Sequence, residues 1–91
     1  MTTPTDQLTA ASVRADLLAF LSARTRTTWE PDTDLFAAGT VSSLFAMELV
    51  VHIETTFDVR VDGADLKLDT FRTVDRMTAL VLRLRSAATG G

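Results

Sequence analysis

The chain has 91 residues, which suits one domain with a small core and argues against a deep, roomy cleft. It has no cysteine and one histidine, which removes disulfides, thiolate metal sites, a cysteine nucleophile and most zinc or Ser-His arrangements. A net charge of −3 disfavours nucleic-acid binding, and 46% hydrophobic against 23% charged residues is a globular composition rather than a disordered one.

No apolar run approaches the roughly 20 residues of a membrane span, and the N-terminus lacks the basic and apolar stretches of a signal peptide. A cytoplasmic protein that binds neither membrane nor nucleic acid is expected. The organisation expected is a single domain over 1–91, with a core over 6–85 and flexible tails at 1–5 and 86–91.

The first predicted element is a helix over 6–23. Leu8, Ala11, Val13, Leu17, Leu18, Phe20 and Leu21 approximate an apolar stripe at helical spacing, and Thr5 is the expected N-cap. Residues 25–41 hold Pro31, Asp32, Asp34 and Gly39 with only a weak period, and read as a long loop. A loop this long in so small a domain is either functional or pinned by its own apolar residues. Leu35 and Phe36 are the expected pins, and Trp29 is read as a further loop anchor.

A second helix is predicted over 43–57, with Ser42 as N-cap. At about 100° per residue, Ala46, Leu49, Val50, Ile53 and Phe57 cluster on one side and must face the core. The opposite side mixes Leu44 and Val51 with Glu48 and Thr55, and Met47 and Phe45 flank it. Several apolar residues on an outward face near a helix start point to a docking surface.

Residues 58–70 read as a connection with a helical turn around 64–68. Val59 and Val61 alternate with polar residues as in a strand, but no partner strand is evident. The last helix is predicted over 73–85, with Thr73 as N-cap and Val74, Met77, Leu80, Val81 and Leu84 as its stripe. The fold class expected is therefore all-α, with three main helices, one short helix and a long first loop.

The remaining chemistry-bearing residues offer little. Ser43 and His52 are nine positions apart, about 13.5 Å along one helix and half a turn round it, so they form no Ser-His pair. His52 is read as a surface residue. Asp58, Asp62 and Asp65 do not match the twelve-residue calcium loop and read as a solvated acidic loop. Arg72, Arg76 and Arg83 share a face of the last helix and read as a solvated face pairing with nearby acids. No metal site and no catalytic residue is expected.

The stretch DTDLFAAGTVSSLFAMELVVHIETTFDVRV, followed by FRTV, resembles the acyl carrier protein family. That family has an acidic loop with Leu-Phe, a Gly, then Asp-Ser-Leu and an amphipathic helix ending in Phe. Leu35, Phe36, Gly39, Ser43, Leu44, Glu48, Leu49, Val50 and Phe57 stand in those places. The likeness extends over roughly 13–84, and its strength lies in the order and spacing of motifs that are individually weak. It implies a four-helix bundle and no enzymatic activity of its own. It also implies a covalent 4′-phosphopantetheine arm on Ser43, delivered from coenzyme A by a phosphopantetheinyl transferase. The thiol of that arm would hold an acyl group as a thioester.

One position departs from the family pattern: Ser42 stands where the family usually has Asp. It can cap the helix but cannot supply the charge. Leu44 and the helix phase select Ser43 rather than Ser42 as the modified residue. The resemblance also implies that Leu44, Phe45, Met47, Glu48, Val51 and Glu54 meet partner enzymes, on a surface more apolar than in strongly acidic carriers.

A narrower likeness joins SLFAMELVVHIETTF to stand-alone carriers of hydroxymalonyl and methoxymalonyl extender units in polyketide, including antibiotic, biosynthesis. It implies loading of a glyceryl unit by an acyl-loading enzyme, oxidation by dehydrogenases and an optional step by an O-methyltransferase. Transfer to a polyketide synthase acyltransferase would follow, with the carrier acting as a monomer. The extra residue after Gly39 is shared with D-alanyl and peptidyl carriers, which remain alternatives. An unmodified helical interaction module and a small DNA-binding domain using Arg72, Arg76 and Arg83 are the other classes weighed.

Overall fold

The computed structural model describes residues 8–37, 39 and 41–90, with side chains as far as 87. Among these it contains three α-helices, α1 (Ala10–Thr25), α2 (Ser43–Phe57) and α3 (Val74–Gly90), with two short 3-10 turns, Gly63–Asp65 and Leu68–Phe71, between the last two. There is no strand among the described residues, so the all-α expectation holds.

The first helix begins later than its hydrophobic stripe suggests. Residues 8 and 9 are not helical, and Thr9 is the cap. Its hydroxyl accepts the Ser12 N–H at 3.1 Å, and the Ser12 hydroxyl accepts the Thr9 N–H at 3.1 Å. This reciprocal pair satisfies two N–H groups of the helix start. Thr5, the expected cap, lies outside the described residues. The helix ends at Arg26, which adopts the left-handed conformation at φ 58° and donates its N–H to the Ser22 carbonyl.

Val13, Leu17 and Leu21 of α1 are fully buried against Leu49, Val50, Ile53 and Phe57 of α2 and Val74, Met77, Leu80 and Val81 of α3. Burial of each such side chain favours folding by about 1.5–3 kcal/mol. Ala46, assigned to the same α2 face, is half-buried. Thr73 caps α3 through its hydroxyl, which accepts the Arg76 N–H at 3.1 Å. The helix then runs on through residues 86–90, expected to be a tail. The apolar stripe ends at Leu84, but alanine and serine sustain a helix by backbone propensity alone.

The long first loop is stitched down rather than loose. Leu35 is fully buried, Phe36 is partly buried, and Trp29 is buried with its indole N–H donated to Thr25 Oγ1 at 2.8 Å. Leu35 N–H donates to the Arg72 carbonyl at 2.8 Å, and Asp75 N–H donates to the Pro31 carbonyl at 2.9 Å. The loop therefore closes over the start of α3. Val59 and Val61 point into the core without forming a strand.

Candidate functional site

Ser43 is the first residue of α2 and is exposed. Ser42 has extended N-cap geometry (φ −89°, ψ 165°), yet its side chain makes no capping bond. The expected side-chain cap is thus absent, unlike at α1 and α3. Phe45 N–H donates to the Ser42 carbonyl at 3.0 Å, and no Ser42 side-chain bond takes the N–H groups before it, at an end of the helix where the dipole favours an anion. Just before the helix, Gly39 takes φ 78° with open space around its α-carbon, so the backbone conformation favours glycine there.

The outward face of α2 carries Leu44, Met47 and Val51 at 78%, 59% and 59% exposure. The other residues read as docking positions are held elsewhere. Phe45 is half-buried and stacks on Phe20 of α1 with ring centroids 6.0 Å apart. Glu54 accepts the Val61 N–H at 2.8 Å and so anchors the connection after α2. Glu48 is ion-paired with Arg24, whose guanidinium lies 4.9 Å from the Phe20 ring centroid. The free part of the face is apolar.

His52 is not a surface residue. Its ring stacks on Phe20 at 4.0 Å, its Nε2 hydrogen bonds Asp16 Oδ1 at 2.6 Å, and Thr56 Oγ1 lies 3.3 Å from its Nδ1. It ties α1 to α2. The three arginines read as a solvated face fall into ion pairs, Arg72 with Asp34 and Asp69, Arg76 with Asp69, and Arg83 with Asp65. Arg72 sits just after the second 3-10 turn rather than on α3. Among the described residues no cluster of His, Asp or Glu is arranged to hold a metal.

Among the shallow grooves that border α2, three include residues from 42–48. One, of about 450 Å³, lies between α1 and α2 and includes Phe20, Arg24, Met47, Val51 and His52. A second, of about 300 Å³, includes Ser42, Leu44, Phe45 and Arg24. The third, of about 200 Å³, is lined by Ser43, Ala46, Met47, Val50, Leu66, Lys67, Leu68 and Phe71. Of the last four, Phe71 opens the FRTV stretch, and Leu66, Lys67 and Leu68 were not found from sequence. Their only signal is a pair of leucines, Leu66 and Leu68, in an otherwise polar connection, which the fold leaves 49% and 40% exposed.

Ser43 is exposed beside a shallow groove. The exposed Ser43, the uncapped helix start and the apolar groove beside it fit a phosphate-linked arm, as in a carrier protein. Residues 12–81 match the family described as "Phosphopantetheine attachment site", and the chain belongs to that family. It is 38% identical over 56 residues to D-alanyl carrier proteins from three strains of Streptococcus thermophilus, covering 62% of this chain and 71% of theirs. No solved structure matches it. The protein is a non-catalytic carrier, and its prosthetic group is covalent 4′-phosphopantetheine. No helix among the described residues is long and apolar enough to cross a membrane.

Proposed function

We propose that Ser43 carries the arm and that the protein presents an acyl thioester to biosynthetic enzymes. The observation that supports this most is the exposure of Ser43 at a helix start whose N–H groups no side chain caps. In the modification step Ser43 Oγ attacks the pantetheine-bearing phosphorus of coenzyme A and gives up its proton to the transferase; the pyrophosphate bond breaks, adenosine 3′,5′-bisphosphate leaves, and Oγ becomes an ester oxygen of the phosphodiester. The first-turn N–H groups of α2 then face a fixed negative charge, a favourable placement at a helix N-terminus. When attached, the arm supplies a thiol that holds the acyl group as a thioester. Leu44, Met47 and Val51 form the apolar part of the surface that partner enzymes meet.

Intact mass after incubation with coenzyme A and a broad-specificity phosphopantetheinyl transferase tests the site. One phosphopantetheine is gained by the natural protein and by Ser42→Ala, and none by Ser43→Ala. A gain retained in Ser43→Ala moves the site to another residue.

For the cargo, the SLFAMELVVHIETTF stretch favours a glyceryl, hydroxymalonyl or methoxymalonyl unit destined for polyketide synthesis. A second reading, a D-alanyl carrier, is favoured by the named relatives. The mass of the thioester on carrier isolated from its own host separates them. A three-carbon hydroxy or carboxylated unit supports the first, and an alanyl unit supports the second.

A further inference from the structure

We propose that Lys67 is a positioning residue for the arm, its ammonium pairing with the phosphodiester on Ser43. Lys67 is the single lysine of an acidic chain, and it lines the same small groove as Ser43. The rest of that groove is apolar, with Ala46, Met47, Val50 and Phe71 forming its walls and Leu66 and Leu68 flanking the lysine. Its backbone is fixed: Lys67 N–H donates to the Asp65 carbonyl at 2.9 Å, and its own carbonyl accepts the Thr70 N–H at 3.0 Å.

The acids nearest it in sequence are already taken. Asp65 pairs with Arg83, and Asp69 pairs with both Arg72 and Arg76. Lys67 itself forms no ion pair among the described residues, and it lines the same groove as the serine that would acquire a negative charge. Lys67 is exposed, so the pairing has the strength of a surface contact with a fixed charge. The arm would leave Ser43 bent toward the side of α2 that faces the second 3-10 turn, away from Leu44 and the α1 side. The proposal rests on Ser43 being the modified residue.

The test compares apo and phosphopantetheinylated forms of the natural protein, Lys67→Gln and Lys67→Arg by thermal unfolding, with the modification verified by mass. Modification is expected to raise the midpoint of the natural protein by about 1–4 °C. Lys67→Arg keeps that gain and Lys67→Gln loses it, while the apo midpoints agree because Lys67 makes no side-chain bond. The gain also fades near 1 M salt, where charges are screened over about 3 Å. In amide NMR spectra of the natural protein, modification shifts Leu66, Lys67 and Leu68. An equal gain in Lys67→Gln, no gain in any form, or unmoved amides there overturns the proposal. So does a lysine dependence that appears only after a malonyl group is loaded, since that assigns Lys67 to a cargo carboxylate. Failure of the Ser43 assignment is seen separately, as a mass gain that survives Ser43→Ala.

Discussion

Asp34 fastens the long first loop through one carboxylate. Its Oδ1 accepts the N–H groups of Phe36 and Ala37 at 3.0 and 3.2 Å, and its Oδ2 accepts from Arg72 Nη1 at 3.0 Å. The Arg72 hydrogen bond, more than the backbone bonds, holds the Asp34 carboxyl below its usual value, against a smaller opposing effect of desolvation. Folding therefore favours the ionised form. The stabilisation is complete above the ordinary value of 3.8 and is lost as pH falls through the lower value of the folded state. Asp34→Asn is expected to melt below the natural protein at pH 7, with the two curves converging below pH 3.8. Superimposable melts at pH 7 would show that the pair contributes nothing. Thr78 presents the opposite situation. It is 3% exposed and its hydroxyl has no partner among the described residues. Valine has the same shape without the unpaired hydroxyl, so Thr78→Val is expected to stabilise the fold by about 1 kcal/mol in denaturant unfolding.

The helix ends carry their own contrast. Thr9 caps α1 with a reciprocal bond, whereas Ser42 caps α2 in backbone geometry only. Thr9→Ala is expected to lower stability by about 1 kcal/mol, and Ser42→Ala by less than about 0.5 kcal/mol. Equal losses would show that Ser42 does cap in solution. Arg26 ends α1 at φ 58°, where a non-glycine residue is strained by about 1 kcal/mol or more. Arg26→Gly is expected to recover most of that strain, read as a rise in the thermal midpoint. How legible such features are depends on their range. The core face of α2 follows from periodicity, and Leu35 is a visible apolar pin in a polar loop. The Thr9 cap was not read from the sequence, because the apolar stripe that starts at Leu8 points to an earlier helix start. The clasp of His52 with Phe20 and Asp16 was not legible, because it depends on how α1 crosses α2. The groove that Lys67 shares with Ser43 was hidden for the same reason, since one wall is made by a connection with no period of its own.

At the scale of the whole molecule, net charge is a poor guide to the partner surface. The chain is acidic, but Glu48 is neutralised by Arg24 and Glu54 is committed to Val61, which leaves Leu44, Met47 and Val51 as the free outward face of α2. Complexes held by exposed charges weaken steeply with salt, whereas apolar contacts do not. Binding of the apo carrier to a phosphopantetheinyl transferase, measured by calorimetry, is expected to change by less than about threefold between 50 and 500 mM salt. Met47→Glu is expected to weaken binding by about tenfold or more, because it forces a charge into an apolar contact. Its thermal midpoint should hardly move, since Met47 is 59% exposed and outside the core. Glu48→Gln should have a small effect on binding, the charge it removes being already compensated within the molecule. A steep salt dependence, with Glu48→Gln more damaging than Met47→Glu, would instead mean that partners break the Arg24 pair and read the acid directly.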